Sequence, residues 1–181
     1  MPSFTMKTPW VKPHIRAEQA TTADTEAVMQ LLKQTALWLL SQGSTQWSSL
    51  IDGEDVHGTA NSIERGDVFI FRHVERGDLA GVVILLQQPS AWDLELWGDR
   101  DPANAVFLHR LAINRNDAGT QLGEAIMNWA SEGIRFEGKD VIRLDCIATN
   151  EKLFSFYTSL GYTHQGEHAS GFHIFEKAIL K

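Results

Sequence analysis

Apolar and polar positions along the chain follow two rhythms, one with a period of two residues and one close to 3.6. "HIRAEQA", from His14, predicts a short strand, and the threonines and Asp24 after it supply a helix start. Val28, Leu31, Leu32, Thr35 and Leu39 then recur at helical spacing. "SQGSTQWSSLIDGEDVHG" breaks that rhythm. It is rich in Gly, Ser and Asp and sets Trp47 among polar residues, which predicts a loop or a mobile lid. "DVFIFRHVERGDLAGVVILLQ" reads as two strands of an antiparallel hairpin turning at "ERGD". "AVFLHRLAI", residues 105–113, is a further strand. Beyond it Leu122, Ala125, Ile126, Trp129, Ala130, Gly133 and Ile134 mark one face of a three-turn helix that begins near Gly119. "DVIRLDCIA" predicts a strand, "NEKLFSFYTSLGY" a short helix closing on Gly161, and "GFHIFEKAI" a last strand.

This order predicts a mixed α/β domain with a mainly antiparallel central sheet, flanking helices and at least one βαβ unit. Residues 1–13, with Pro2, Pro9 and Pro13 and little periodicity, read as an N-terminal arm. Residues 14–181 read as a single domain, which suits a chain of 181 residues with 43% hydrophobic content.

Composition narrows the function. The single Cys146 excludes an internal disulfide framework and a cysteine-rich zinc site, and suits a reducing cytoplasm. It alternates with Ile142 and Leu144 on one strand face, as a buried thiol would. The absence of a signal-peptide pattern and of any run of roughly 18 apolar residues predicts a soluble, cytoplasmic protein away from membranes. A net charge of −7 disfavours nucleic acid as a partner and is compatible with a cationic small substrate. His164, His168 and His173 lack a compact metal-ligand spacing, so no metal is expected.

"GTQLGEAIMNWA", residues 119–130, places glycines at 119 and 123 around a helix start, although glycine costs about 1 kcal/mol against alanine within a helix. Either the glycines only shape the turn and ease packing, or the backbone there approaches an anion. That helix start follows the strand ending at Ile113, at the C-terminal edge of a strand inside a βαβ unit, where phosphate sites commonly lie. There is no GxxxxGK[ST], and "AGTQLG" is not GxGxxG, so neither an ATPase nor a dinucleotide site fits.

"LHRLAINRNDAGTQLGEAIMNWA" followed by "IRLDCIATNEKLFSFYTSLGY" resembles the GNAT superfamily of N-acetyltransferases, which use acetyl-coenzyme A as co-substrate. The family's pyrophosphate loop, Q/R-x-x-G-x-G/A, falls on Ala118, Gly119, Thr120, Gln121, Leu122 and Gly123, with Glu124 following. Its later motif falls on Asn150, Leu153, Tyr157, Gly161 and Tyr162. Two positions depart from the pattern: Ala118 stands for the usual Gln or Arg, and Gln121 for the first glycine of G-x-G. Backbone donors remain at both, and the Gln121 amide is itself a candidate phosphate donor.

The resemblance implies a GNAT-like fold and acetyl transfer to a primary amine of a small molecule, peptide or protein, by direct attack in a ternary complex. It implies that residues 118–124 and Asn150 bind the cofactor. The pantetheine arm would lie along the backbone of Leu111, Ala112 and Ile113, one of whose N–H groups would polarise the thioester carbonyl. Tyr157 would be the general acid for the departing thiolate. Some relatives use a strand Glu as base, but Phe107 occupies that position here. His109, two residues on along the same strand face, and Glu95 are equal candidates, with Asp99 and Asp101 beyond them. Arg115 is a candidate phosphate contact, and Trp47, Trp92 and Trp97 are candidate acceptor-pocket residues. The departures at Ala118, Gln121 and Phe107 also admit a coenzyme A-binding sensor without catalysis. A homodimer through strand edges is compatible with this fold.

Overall fold

The computed structural model describes residues 4–53 and 56–179; the start of the expected arm and Glu54–Asp55 of the expected loop lie outside the described residues. Its strands are β1 (Phe4–Met6), β2 (Trp10–Lys12), β3 (Ile15–Gln19), β4 (Val68–His73), β5 (Leu79–Leu86), β6 (Ala105–Ile113), β7 (Ile134–Phe136), β8 (Val141–Ile147), β9 (Thr163–His168) and β10 (Phe172–Ala178). Its α-helices are α1 (Thr25–Ser41), α2 (Val56–Glu64), α3 (Ala91–Trp97), α4 (Leu122–Asn128) and α5 (Glu151–Ser159). The fold is mixed α/β with a mostly antiparallel central sheet flanked by helices. No helix among the described residues is long and apolar enough to cross a membrane.

Two compact units divide the chain. The first holds Pro9–Ile84 and Arg110–Ala125. In it β2, β3, β4 and β5 pair antiparallel in succession, with Ile15 opposite His73 and Val68 opposite Ile84. Val68–Phe71 and Leu79–Val83 are buried without alternation, which is why these strands read as continuous apolar runs. Asp24 closes a capping box by accepting from the backbone N–H of Thr21, and α1 then buries Val28, Leu31, Leu32, Thr35 and Ala36. Part of the predicted loop is ordered differently. Ser48–Leu50 form a 3-10 turn whose Leu50 is buried, and α2 begins at Val56.

The second unit holds the described parts of Met1–Thr8, Leu85–His109 and Ile126–Lys181. Here β6 pairs parallel with β8, β8 antiparallel with β10, and β10 antiparallel with β9. Several elements differ from the sequence expectation. The arm supplies strands, β1 against β7 in this unit and β2 against β3 in the first. The helix expected to run through Ile134 ends earlier, in a π turn over Trp129–Gly133, and Ile134 opens β7. The arm itself enforces that end: the Gly133 carbonyl accepts from the Lys7 and Thr8 amides, and the Trp129 indole donates to the Thr8 carbonyl at 2.7 Å. Finally α3 and β9 occupy segments to which the sequence pattern assigned no element. In α3, Ser90 and Asp93 form a capping box while Leu96 and Trp97 join a core with Ala105, Phe107 and Ile174.

The excursion that carries α3 is pinned at both ends. Lys139 donates from Nζ to the carbonyls of Gln87 and Ala103, each at 2.8 Å. Arg143 donates to the Asp101 carbonyl and to Glu176, with its guanidinium 4.7 Å from the Trp97 ring centroid.

Candidate active site

In the first unit, the residues after β6 form a loop fastened almost entirely by its own backbone and by neighbouring strands. Asn114 donates from its side chain to the Leu79 carbonyl and from its backbone to the Ala80 carbonyl, while its Oδ1 accepts from the Asn116 amide. Asp117, buried, accepts from or pairs with His73 Nε2 at 2.8 Å, and its carbonyl accepts from the Thr120 hydroxyl at 2.6 Å. Lys12 Nζ donates to the Thr120 carbonyl. These bonds hold Ala118–Gln121 in a bent path with Gly119 at φ +78° and Gln121 at φ +63°. The left-handed region costs an L residue about 1–2 kcal/mol, so Gln121 keeps the backbone shape that glycine would adopt without strain. A Cβ added at Gly119 would meet nothing within 4 Å, leaving that side of the loop open.

Ala118, Gly119, Thr120, Gln121 and Glu124 are exposed, whereas Leu122 and Ala112 are buried. Leu122 and Ala112 belong to the core, so only their backbone groups can reach a ligand. Upstream of the loop, Arg110 takes φ +57° inside β6, a backbone irregularity just ahead of Leu111, Ala112 and Ile113. Its guanidinium lies 5.3 Å from the Trp47 ring centroid, and Arg115 stacks on Trp38 at 3.9 Å.

In the second unit, Asp93, His109 and Asp145 converge. His109 Nε2 lies 2.9 Å from Asp93 Oδ1 and 3.0 Å from Oδ2. The Asp93 side chain is only 2% exposed and that of His109 22%. One ligand-type atom from each of the three residues falls within 4.8 Å of the others. Burial raises the Asp145 carboxyl above its ordinary range and the Asp93 charge adds to this, while His109 and a hydrogen bond from Trp92 oppose it. Trp92 packs edge-on against Phe172 with centroids 5.1 Å apart. Glu95 is exposed on α3, so the helix turns Asp93, and not Glu95, toward His109. Asp99 and Arg100 are exposed, as is Asp101.

Asn150 caps α5, its Oδ1 accepting from the Leu153 amide at 3.0 Å, and so spends one side-chain atom on the helix. Tyr157, buried on α5, packs among Phe156, Tyr162 and Phe175. Burial raises its phenol, with further contributions from Cys146 and Asp145, so it stays protonated far into the alkaline range. Cys146 is buried as expected, and burial pushes its thiol up to about 11. His164 and His173 contact each other at 2.9 Å, while His168 bonds Ser170.

Sequence reasoning did not single out Asp93, Asp145, His73 or Lys12. For Asp93 a signal was present: "SAWD" has the S-x-x-D form of a capping box ahead of an apolar pair. Lys12 and His73 carried none, because their partners lie 108 and 44 residues away.

Comparison with known proteins agrees with this fold. The profile of the acetyltransferase (GNAT) family matches residues 28–162. The N-acetyltransferase YesJ of Bacillus subtilis (strain 168) is 49% identical over 156 residues, covering 86% of each chain. A GNAT-family acetyltransferase of Listeria monocytogenes 4b F2365 superposes with a TM-score of 0.72 at 34% identity, covering 91% of this chain and 94% of the other. The PaiA N-acetyltransferase of Thermoplasma acidophilum, solved in complex with coenzyme A, shares the fold at TM-score 0.62 and 19% identity, with 91% and 98% covered. With a family match over most of its length and a close relative aligned along 86% of it, the chain belongs to the GNAT family and is an acetyltransferase.

Proposed function

We propose that this enzyme moves an acetyl group from acetyl-coenzyme A to a primary amine, by direct attack in a ternary complex. The observation that carries the cofactor assignment is the loop at Ala118–Gln121. It joins two left-handed residues to an open side at Gly119, where a Cβ would meet nothing. Such a concavity presents backbone N–H groups to an anion without a Gln or Arg side chain at Ala118. The coenzyme A complex of the PaiA relative supports the same ligand class.

When bound, acetyl-coenzyme A supplies an activated thioester. The backbone of Ala118–Glu124 would hold its pyrophosphate, and the Asn150 amide would be a further donor to the cofactor. A backbone N–H within Leu111–Ile113 would polarise the thioester carbonyl. Tyr157 would hold a proton at Oη for the departing thiolate; burial keeps the phenol protonated, and the hydrogen bond to sulfur would have to form as charge develops there. His109 receives the proton of the incoming ammonium. Its partner Asp93 and its neighbour Asp145 give this region negative charge, which favours a cationic small amine as acceptor. We assign the activity to the cytoplasm, where a lone thiol such as Cys146 stays reduced.

The competing reading, a sensor without catalysis, rested on Ala118, Gln121 and Phe107. The left-handed Gln121 backbone and the His109–Asp93 pair weaken it. The experiment is acetyl-coenzyme A-dependent release of free thiol over a panel of amines, beside calorimetric titration with acetyl-coenzyme A and ATP. Thiol release with at least one amine is the expected result. Tight binding with no release over the whole panel overturns catalysis, and no binding overturns the cofactor assignment.

A further inference from the structure

We infer that His73 is a positioning residue for the phosphate loop, acting through Asp117, an inference that rests on the reading of Ala118–Gln121 as the pyrophosphate site. Of residues 115–121 only Asp117 is buried, and the next buried residue is Leu122. The exposed stretch Ala118–Gln121 is therefore held between two anchors of different kinds. Leu122 is fixed by apolar burial. Asp117 is a carboxylate, and a carboxylate taken out of water needs a hydrogen-bond donor.

His73 supplies that donor. Its Nε2 donates to Asp117 Oδ1 at 2.8 Å with both side chains mostly buried, and among the described residues Asp117 Oδ2 has no partner of its own. Arg76, on the turn after His73, pairs with Asp78. His73 is itself a fixed point. It ends β4 opposite Ile15, its amide donates to the Asp78 carbonyl at 3.0 Å, and its carbonyl accepts from the Gly77 amide at 2.7 Å.

The main chain of Asp117 carries this constraint into the loop. Its amide donates to the Asn114 carbonyl at 2.8 Å, and its carbonyl accepts from the Thr120 hydroxyl at 2.6 Å. Without the imidazole N–H the carboxylate keeps no side-chain bond and turns toward water. That movement draws its carbonyl away from Thr120 and shifts Gly119 and Gln121, whose left-handed backbones shape the concavity.

The measurement is calorimetric titration with coenzyme A and with pantetheine, which lacks the pyrophosphate, on the wild type, His73→Phe, His73→Gln, Asp117→Ala and the double variant His73→Phe/Asp117→Ala. His73→Phe should raise the Kd for coenzyme A about 10-fold or more and leave that for pantetheine within about twofold. His73→Gln, whose side-chain amide donates from a similar reach, should keep the coenzyme A Kd within about threefold of the wild type. Asp117→Ala leaves no unpaired buried charge, so it tests the same anchor should His73→Phe fail to fold, and its loss should match. The double variant should lose no more than the larger single loss, because both substitutions remove one contact. An unchanged coenzyme A Kd in folded His73→Phe or Asp117→Ala, or a Kd lowered by relief of charge in Asp117→Ala, would overturn the inference. So would equal losses for both ligands, additive losses in the double variant, or His73→Gln as weak as His73→Phe. Should the wild type itself bind no coenzyme A, the cofactor reading falls and takes this inference with it; failure of the inference alone leaves wild-type binding intact.

Discussion

Replacing Gly119 with alanine separates backbone strain from ligand contact, because the molecule contains a matched control. Gly119 and Gly138 have φ values of +78° and +75°, and a Cβ at either would meet nothing within 4 Å. Each alanine therefore carries the same left-handed penalty, about 1–2 kcal/mol. Reduced freedom of the unfolded chain offsets roughly 0.4–1 kcal/mol of it. The net loss is about 1 kcal/mol in both variants, a fall in Tm of about 2–4 °C for a chain of this size. Their ligand binding should differ. If the open side of Gly119 receives a phosphate, its methyl group occupies that space, and calorimetry should give a coenzyme A Kd raised at least 10-fold, about 1.4 kcal/mol. Gly138→Ala should leave Kd unchanged. Equal Kd values for both variants and the wild type would show that Gly119 serves only the turn, and would refute the anion assignment.

Tyr157→Phe should lower kcat by about 10- to 1000-fold with little change in coenzyme A affinity; an unchanged rate removes Tyr157 from the mechanism. Asp145→Asn should raise Tm, since burial disfavours its charged form, while raising the KM for the amine; a lowered Tm with unchanged KM would make Asp145 structural. Alkaline stability should fall as pH rises from about 9 toward 11. In that window the unfolded Cys146 thiol, with an ordinary value of 9.0, has lost its proton and the folded one, at about 11, retains it, so stability is full below pH 9. Cys146→Ser should flatten that fall in pH-dependent denaturant melts. Prolonged EDTA treatment should leave thiol release unchanged, because Asp93 already spends its oxygens on Ser90 and His109; activity lost and restored by zinc would make the three-residue cluster a metal site.

What the sequence revealed, and what it concealed, follows the range of the interactions involved. β3, α1, the β4–β5 hairpin, β8 and α5 were legible because each buries a face whose period is written in consecutive residues. The helix through Ile134 was misjudged by the same logic. Its apolar spacing holds to the end, but Gly133 gives up its carbonyl to Lys7 and Thr8, residues more than 120 positions away, and the tertiary bond outweighs local propensity. The arm was misjudged for the complementary reason: strands of three residues, such as β1 and β2, are too short for alternation to register. The candidate site divides in the same way. The phosphate loop has a local signature, and the left-handed Gln121 shows that its shape outlasts loss of the glycine that usually encodes it. The proton-handling residues have no such signature. Glu95 and Asp93 stand two apart on a seven-residue helix, and only the capping box at Ser90 determines which of them is turned inward. Because that box fixes the side of α3 that meets His109, a hydrogen bond that ordinarily serves to start a helix here selects the carboxylate available to the imidazole.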